Sequence, residues 1–543
     1  MKKTLALLLA FVMVLSMLCA CDTDKPVETK PQETQGNQSV ETKPVETEPE
    51  EPVVLTCLIT AFEGIDYDNN YMTTFLEEKF NVDLQFQVIS TADDAATQLN
   101  LVLTSGEYPD LFLTGRYNTA QVLAGAEAGA FLPLNDYIVE GTEYYKMLEA
   151  NPEYRVNATA NDGNIYTFLY TDASVHTASE YKMWYLVEWM EKLGWETPPS
   201  TPEEFKQYLI DIRDEDVNGN GDPNDEIPLM GYYDGRKTDP ICFLMNPFEL
   251  YTDNFHYITD DGEIYFSAIT DGWRKGLAYI ADLYAEGLIA EETYIQDKAT
   301  FKALLNKVGT EAVIGCYPNW FGENEIDKNV RAWTDIEALA PLKGDYQQSA
   351  WGQKIQLNCA ISTQCEHPEK AFELLDWLQG PEGNMMQKYG WEDTTYEWIE
   401  AENYLGENRS VQTLWKSNEL DINQYIWSVG RLPLQDSAES RYGVMKTTET
   451  GNTWRLVRAH EFYQDYYVPH NTPYTVWAEE DVMAEYSELS ALINEYIKVS
   501  DTEFIMGIKD INDDAQWQAY LDQLDQMGLD RYIEVLEQYY GLK

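Results

Sequence analysis

The feature that most restricts the fold of this chain is a strand–helix–strand alternation in its first globular stretch. The run VVLTCLIT at residues 53–60 is β-rich, residues 71–80 follow a helical pattern, and VDLQFQVI at residues 82–89 is again strand-like. A second helical stretch at residues 95–103 leads through a turn into the apolar run LFL at residues 111–113. This alternation is typical of α/β proteins in which helices cover a parallel sheet. The sequence therefore predicts an α/β fold.

The length of the chain indicates more than one folded body. At 543 residues it exceeds the size at which a single hydrophobic core stops growing, so two lobes are expected. The predicted strands are not followed by a G-x-G-x-x-G fingerprint or a P-loop, so nucleotide binding lacks its usual phosphate cradle.

The charge balance excludes one class of partner. The chain has 37 basic and 94 acidic residues, a formal net charge of −57, and such a charge repels phosphate backbones. We therefore expect no nucleic acid partner. Most of the carboxylates are expected to solvate the surface and do not identify a ligand.

The beginning of the chain has the pattern of an exported lipoprotein. Lys2 and Lys3 precede an apolar stretch at residues 5–18, so residues 1–20 are predicted to be a signal peptide. The sequence Leu-Cys-Ala-Cys that ends at Cys21 resembles the bacterial lipobox, although Cys19 departs from the small residues usual at its position. Cys21 is thus the predicted lipidation site, and a stray thiol after an ordinary signal peptide is the alternative. The lipid would anchor the chain on the extracytoplasmic face of the cell membrane.

The segment after Cys21 is predicted to be a tether. Residues 21–52 contain repeated ETKPVET-like units and almost no apolar side chains, so they cannot bury enough surface to offset the entropy of ordering. The cysteines beyond residue 52 are odd in number and scattered, which gives neither a disulfide framework nor a metal spacing. The sequence leaves undecided whether Cys359 and Cys365 form a disulfide bridge.

Six sequence segments occur in an informative order. They are SGEYPDLFL (105–113), GAFLPLNDYI (129–138), DGNIYTF (162–168), VEWMEKLGWETPPSTPEEFKQYL (187–209), HPEKAFELLDWLQGPEG (367–383) and the ending from FIMG to EQYY (504–540). In the fourth segment Thr201 is a predicted N-cap, Pro202 takes the first helical position and Glu204 completes a capping box. In the last segment the apolar residues have helical spacing, which predicts a docked amphipathic helix with a buried face made of Leu529, Tyr532, Ile533, Leu536 and Tyr540.

Taken in this order, the segments resemble the extracellular solute-binding proteins of family 1, in particular their large lipoprotein branch from Gram-positive bacteria. The resemblance implies two α/β lobes that are discontinuous in sequence, are joined by hinge crossovers and end in helices. The expected boundaries are residues 53–170 plus 345–430 for lobe 1 and residues 171–344 plus 431–543 for lobe 2. It also implies an ABC importer receptor, expected to be a monomer, that captures a carbohydrate or other small solute by lobe closure and docks on ABC permease subunits.

An acidic loop at residues 214–229, DEDVNGNGDPNDEIPL, has the alternating oxygen-bearing side chains and glycines that wrap a hard cation such as calcium. Two EF-hand-like registers compete: one begins at Asp216, and the other begins at Asp214 and places Asp225 at position twelve. The family resemblance favours the first register and implies a structural Ca²⁺ held by Asp216, Asn218, Asn220, Asp225 and Glu226. One extra residue between Gly221 and Asp225 separates this chain from the family pattern, and an ion-free acidic loop is the alternative.

Aromatic residues are abundant, with 38 tyrosines and 15 tryptophans, and sugar rings pack on such side chains. Most of them must be core residues. By analogy with the family, the residues expected to reach the cleft between the lobes are Phe62, Glu63, Arg116, Tyr117, Trp184, Trp320, Trp351 and Trp391.

No catalytic constellation is evident in the sequence. The five histidines are scattered without an H-E-x-x-H pattern, and no G-x-S-x-G elbow occurs. A binding protein is therefore expected. The alternative is a secreted polysaccharide-degrading enzyme, a glycosidase or lyase, because two suitably placed carboxylates suffice for glycoside hydrolysis.

Overall fold

The computed structural model describes residues 51–542, and it does not describe residues 62–63, 90–91, 116, 175–179, 233–235, 323–324, 328, 331, 353–354, 428–434, 447–451, 470 and 474. The predicted signal peptide, the lipidation site Cys21 and nearly all of the tether lie outside the described residues. Within the described part, none of the helices has both the length and the apolar character needed to cross a membrane.

The strands are short, and most belong to two sheets. In chain order they are β1 (Val53–Thr60), β2 (Val82–Ile89), β3 (Leu111–Leu113), β4 (Thr167–Asp172), β5 (Met183–Leu186), β6 (Ile227–Leu229), β7 (His256–Ile258), β8 (Ile264–Phe266), β9 (Ile314–Pro318), β10 (Ile336–Leu339), β11 (Ser349–Trp351), β12 (Ile355–Ile361), β13 (Tyr396–Ile399), β14 (Ser410–Thr413), β15 (Gln435–Asp436) and β16 (Tyr467–Pro469).

Helices connect these strands and form the end of the chain. They are α1 (Tyr71–Phe80), α2 (Ala92–Ser105), α3 (Thr119–Glu127), α4 (Glu143–Ala150), α5 (Pro152–Ala158), α6 (Val187–Lys192), α7 (Pro202–Asp214), α8 (Ile241–Leu244), α9 (Asp271–Ala285), α10 (Lys298–Leu305), α11 (Pro368–Gln379), α12 (Pro381–Tyr389), α13 (Ala438–Tyr442), α14 (Asn452–Tyr463), α15 (Glu480–Ile505), α16 (Asp514–Gln526) and α17 (Leu529–Tyr539).

The first sheet has the strand order β15-β4-β12-β3-β1-β2. Strand β1 pairs in parallel with β2 and β3, as the alternation in the sequence predicts. Strand β12 instead runs antiparallel to β3 and β4. The parallel pairing predicted from residues 53–113 is thus confirmed, and β12 makes the complete sheet mixed. The physical reason is the path of the chain. Strand β12 comes back from the other lobe and begins beside the carboxyl end of β4, so it runs in the opposite direction to β4.

The second sheet has the order β10-β5-β9-β6. Strand β5 runs antiparallel to both of its neighbours, β10 and β9, while β6 is parallel to β9. A separate parallel pair joins β11 to β16. Strand β11 lies between β10 of the second sheet and β12 of the first, and β16 lies between α14 and α15.

Two large hydrophobic cores surround these sheets. One takes its buried residues from residues 55–169 and 355–378 with Trp427. The other takes them from residues 181–350 and 459–536. Each core therefore combines stretches that are distant in sequence, and the predicted two-lobe α/β fold with discontinuous lobes is confirmed. The lobe boundaries stay a prediction, and the pairing of β15 with β4 lies beyond the expected end of lobe 1 at residue 430.

The start of α7 shows how closely local sequence sets local structure. The Thr201 side chain accepts a hydrogen bond from the Glu204 N–H at 3.2 Å, as a capping box requires. The Glu204 carboxylate reaches one residue further back than expected and accepts bonds from the N–H and the hydroxyl of Ser200. These bonds lower the pKa of Glu204, and its negative charge lies at the positive end of the helix dipole.

The chain ends in three helices packed on the second core. In α17, Leu529, Tyr532 and Leu536 are buried, as the helical spacing predicts. Burial of each such side chain contributes about 1.5–3 kcal/mol. Ile533 and Tyr540 are partly buried against the same core.

The five cysteines of the described part are buried free thiols, so Cys359 and Cys365 are not joined in this structure. Burial raises the pKa of Cys57, Cys316 and Cys359 well above the ordinary range of a thiol. These side chains act as small apolar core residues rather than nucleophiles.

Candidate functional site

The carboxyl edges of the two sheets are brought together by the connections between the lobes. The chain leaves the first sheet at Asp172, the end of β4, and enters the second at Met183, the start of β5. Because β9 and β10 run antiparallel to β5, their carboxyl ends lie at this same edge. In open α/β sheets ligands bind beyond the carboxyl ends of the strands. The region beyond these carboxyl ends is therefore the candidate ligand site.

Trp320 offers an aromatic surface at the edge of the second sheet. It follows β9 directly and is half-buried. The ammonium of Lys237 lies 5.4 Å from its ring centroid, and Lys237 also forms an ion pair with Glu180. The ring of Phe321 packs edge-on at 4.9 Å. A ring with neighbouring charged donors and acceptors is a suitable surface for a polar, ring-shaped ligand.

Trp184 lies beneath this surface instead of on it. Its side chain is fully buried, and its indole N–H donates to the Asn319 carbonyl at 2.7 Å. A Cβ at Gly322 would come within 2.5 Å of the indole, so the chain packs directly on the ring. The prediction that Trp184 lines the cleft was wrong, because its position in β5 points into the core. Its role is to support the turn that carries Trp320.

Tyr117, which follows β3 in the first sheet, was also predicted to reach the cleft, and this prediction was wrong. It is 6% exposed, its ring packs against Phe131, and its hydroxyl lies 2.6 Å from the Thr114 hydroxyl. Tyr117 therefore braces the turn after β3 from inside. The neighbouring candidates Phe62, Glu63 and Arg116 lie outside the described residues.

Trp351 lies on the segment that returns from the second sheet to the first. It ends β11, opposite Pro469 of β16, and it is half-buried. Its ring centroid is 6.4 Å from that of Tyr467. This position, next to the start of β12, keeps Trp351 among the candidates for ligand contact.

Trp391 has a different environment. Its ring packs edge-on against Phe75 of α1 at 5.8 Å and against Tyr425 at 5.9 Å. These contacts belong to the helix layer of lobe 1 and not to a strand end. The structure therefore does not place Trp391 with the other candidates.

The acidic loop between α7 and β6 folds around its own oxygen atoms. The Asp216 carboxylate accepts hydrogen bonds from the N–H groups of Asn220 and Gly221, at 3.0 and 2.9 Å. The side-chain amides of Asn218 and Asn220 both donate to Asp225, at 3.1 and 2.7 Å. These residues therefore face one another within a single turn of chain.

The competing register of the loop is not supported by the geometry. The Asp214 carboxylate is bound by the neighbouring Arg213 guanidinium at 2.7 Å and lies at the end of α7. Gly221, the sixth residue of the register that begins at Asp216, has φ +92°, and Gly219, the sixth residue of the other register, has φ +75°. Both glycines permit the sharp turn, so the position of Asp214 is what separates the two registers.

The donor set suits a hard cation. Glu226 is 7% exposed; one of its oxygens accepts the Asn218 N–H at 3.2 Å, while the other has no hydrogen-bond partner. Burial, with the charges of Asp225 and Asp216, raises the pKa of Glu226. A divalent cation would neutralise this group of carboxylates. Among the described residues, no three acidic, histidine or cysteine side chains converge on one metal position, so the amide oxygens of Asn218 and Asn220 would also be needed.

The sequence did not identify Lys237 and Glu180, which lie near Trp320, as candidate ligand-site residues. Neither residue belongs to a recognisable motif. Lys237 follows β6 and Glu180 precedes β5, so both occur at the carboxyl edge of the second sheet. Only the strand order, which the sequence does not reveal, identifies them as neighbours.

Comparison with curated proteins gives two informative relatives. The chain is 26% identical over 485 residues to the fructooligosaccharide ABC transporter substrate-binding protein FusA of Streptococcus pneumoniae, with 82% of each chain covered. It is 23% identical over 206 residues to the lipoprotein LipO of Bacillus subtilis, a match that covers 37% of this chain and 38% of LipO. No protein-family profile matches the chain.

Solved structures show the same fold. A FusA EF-hand mutant in complex with fructo-nystose superposes with a TM-score of 0.69 at 23% identity and covers 90% of this chain and 99% of FusA. A human milk oligosaccharide (HMO) binding solute-binding protein associated with an ABC transporter, from Bifidobacterium longum infantis, superposes with a TM-score of 0.74 at 17% identity and covers 90% and 98% of the two chains. These relatives are named as binding proteins and not as enzymes. Over most of its length the chain is therefore similar to a substrate-binding protein of an ABC transporter, and it shares the fold of solved solute-binding proteins.

Proposed function

We propose that this chain is the extracytoplasmic receptor of an ABC importer and that it captures an oligosaccharide between its two lobes. The observation that carries the proposal is the similarity to a fructooligosaccharide-binding receptor over 82% of both chains. The aromatic and charged surface at Trp320, Lys237 and Glu180 is consistent with a sugar ligand.

The proposed mechanism is closure of the lobes on the ligand. An oligosaccharide would contact Trp320 on one lobe, Trp351 at the crossing, and Phe62, Glu63 and Arg116 on the other lobe. Contacts made to both lobes at once are available only in the closed form, and this difference in contacts shifts the population towards closure. The closed form would then dock on the ABC permease subunits.

The acidic loop is proposed to hold a structural calcium ion with Asp216, Asn218, Asn220, Asp225 and Glu226. A bound cation supplies charge neutralisation and holds the loop in one conformation. The loop precedes β6, so it lies at the opposite end of that strand from the candidate ligand site. We therefore expect calcium to affect stability more than affinity.

Membrane attachment through a lipid on Cys21 is proposed from the sequence pattern. A relative of this chain, LipO, is named a lipoprotein. Mass spectrometry of the N-terminal peptide from membranes of a Gram-positive host should show a diacylglycerol adduct on Cys21. A peptide that starts at another residue and carries no lipid would contradict this proposal.

The proposed function is tested by thermal-shift screening of the chain without residues 1–20, with Cys21→Ser to keep it unacylated. The screen uses a panel of neutral and acidic oligosaccharides in the presence of calcium, followed by product analysis of each sugar. A saturable rise in Tm with the sugar recovered intact is expected. Shortened or unsaturated sugars would identify a polysaccharide-degrading enzyme, and no shift with any sugar would contradict carbohydrate capture.

A further inference from the structure

A cavity of about 290 Å³ lies at the junction of the second lobe with a connecting segment. Its lining includes four tyrosines, together with His256, Asp253 and Glu180. The tyrosines are Tyr181, Tyr486 of α15, and Tyr539 and Tyr540 at the end of α17. The volume is close to the lower end of the range for small-molecule sites, ~300 Å³, so it suits a ligand of about one ring.

Tyr486, Tyr539 and Tyr540 form one aromatic wall of the cavity. The rings of Tyr486 and Tyr539 stack with centroids 4.0 Å apart and an interplanar angle of 9°. The ring of Tyr540 packs edge-on against Tyr539 at 5.1 Å. Because α15 and α17 pack on each other, the wall is held by two helices and does not depend on a loop.

His256 sets the orientation of the Tyr540 hydroxyl. The Nδ1 atom of His256 lies 2.8 Å from the Asn254 carbonyl oxygen, which can only accept, so Nδ1 carries a proton. In the neutral ring Nε2 is then an acceptor, and it lies 3.0 Å from the Tyr540 hydroxyl. The hydroxyl proton is directed to His256, which leaves an oxygen lone pair of Tyr540 to accept from a ligand hydroxyl.

The charges around the cavity select against anions. Asp253 and Glu180 line it, and none of its described lining residues is a lysine or an arginine. Because Glu180 is paired with Lys237, Asp253 is the carboxylate that gives the lining its net negative charge. Carboxylates accept hydrogen bonds from sugar hydroxyls, while a uronate or other acid would be repelled. The lining therefore matches a neutral sugar ring.

The cavity is connected to the candidate ligand site by direct contacts. Glu180 lines the cavity and pairs with Lys237, whose ammonium lies over the ring of Trp320. Thr472, Pro473 and Val476 form another wall of the cavity. Their segment is attached to lobe 1, because the Thr475 N–H and the Trp477 indole N–H both donate to Asn157. A ligand in the cavity therefore touches a segment that is attached to both lobes.

We infer that this tyrosine-lined cavity is an end subsite that receives one terminal neutral ring of the captured oligosaccharide. The inference rests on the proposed function and adds to it a ligand class, a neutral oligosaccharide, and a position for one end of the ligand. Asp253 and the Tyr540 hydroxyl accept hydrogen bonds from that ring, and the stacked tyrosines pack on it.

The experiment is calorimetric titration of the chain from residue 21, with Cys21→Ser, against nystose and lacto-N-tetraose as neutral probes and an alginate tetrasaccharide as the acidic probe. The variants are Asp253→Asn and Tyr540→Phe. Their matched controls are Asp261→Asn, an exposed aspartate of the β7–β8 turn, and Tyr496→Phe, a tyrosine of α15 outside the cavity. Thermal unfolding of every variant checks that it is folded.

We expect at least one neutral probe to bind the wild-type chain and the acidic probe not to bind. Asp253→Asn should weaken the neutral probe by about tenfold or more, and Tyr540→Phe by about three- to tenfold, while both controls bind as wild type does. Neutral binding that neither variant changes would overturn the subsite and leave the proposed function standing. If no probe binds the wild-type chain, the proposed function fails and the subsite fails with it.

Discussion

Trp184 and Trp320 illustrate the difference between an aromatic residue that supports a site and one that forms its surface. Both are next to the turn after β9, and the sequence offers no sign that distinguishes them. Trp184 is fully buried and bonded to the Asn319 carbonyl, whereas Trp320 is half-buried beside Lys237. Their substitution should therefore affect different properties.

Trp320→Ala is expected to weaken binding of the captured sugar by about tenfold and to change Tm little, because it removes a stacking surface at the edge of the sheet. Trp184→Ala should instead lower the free energy of unfolding by about 3–5 kcal/mol, because it leaves a large cavity in the core. Calorimetric titration and denaturant unfolding measure the two effects.

Trp415→Ala is the control, since Trp415 lies in the turn after β14, away from the carboxyl edges. A Trp320→Ala variant that binds sugar as tightly as this control would remove Trp320 from the site.

Site residues were the part least accessible to the sequence. The abundance of aromatic residues predicts that some of them contact the ligand, but whether a given ring points outwards depends on which face of a strand it occupies. Trp184 and Tyr117 point into a core, which single-sequence patterns do not show. Glu180 and Lys237 approach Trp320 only through the pairing of β5, β9 and β6.

At the scale of elements, the acidic loop between α7 and β6 yields a prediction about stability. Removal of calcium with a chelator should lower the Tm of the wild-type chain, because an ion that binds only the folded state stabilises that state. When the free calcium concentration is about 100 times Kd, the bound ion raises the free energy of unfolding by about 2.7 kcal/mol. Asp216→Ala should abolish this calcium dependence and leave sugar affinity within about twofold. Differential scanning calorimetry with calcium and with chelator measures it.

Asp214→Ala is the matched control, because Asp214 belongs to the competing register and is paired with Arg213. It should keep the calcium dependence of the wild-type chain. Equal Tm with and without calcium in the wild-type chain would remove calcium from the proposed function, and loss of the dependence in Asp214→Ala alone would favour the other register.

A histidine beside the β11–β16 pair is expected to make stability depend on pH. His460 of α14 lies 2.9 Å from the hydroxyl of Tyr467 in β16, and burial, with a smaller contribution from Lys182, lowers the pKa of His460 below its ordinary value of 6.5. The unfolded chain therefore binds this proton more readily than the folded chain does. The associated stability is fully present above pH 6.5 and is lost as the pH falls through the folded pKa.

His460→Gln should reduce the loss of Tm between about pH 7.5 and about pH 5 relative to the wild-type chain, because Gln cannot take up the proton. His367→Gln, at an exposed histidine, is the control and should retain the wild-type loss. If His460→Gln and His367→Gln show the same pH profile, then His460 does not contribute to the pH dependence.

Elements near the beginning of the globular part were predicted well. The strands at residues 53–60, 82–89 and 111–113 and the helix at residues 71–80 have the predicted bounds, because each has a clear periodicity between turn residues. Helix α2 is longer than the predicted 95–103 at both ends. Helix ends depend on capping contacts, which are weaker sequence signals than periodicity.

At the scale of the whole molecule, composition and length correctly indicate two lobes, but the topology required the structure. The antiparallel β12 and the β11–β16 pair follow from a chain that crosses between the lobes repeatedly, and no local pattern reports such crossings. These crossings also bring the two carboxyl edges together, so the position of the candidate site is a property of the topology.

The measurement that tests the central claim most directly is calorimetric titration of the chain from residue 21, with Cys21→Ser, using the neutral oligosaccharide that gives the largest rise in Tm. Mass analysis of the sugar recovered afterwards completes it. The proposed function predicts saturable binding at one site, with a Kd of about 1 µM or below, and a sugar of unchanged mass. Failure of every oligosaccharide to bind, or recovery of a shortened sugar, would contradict it.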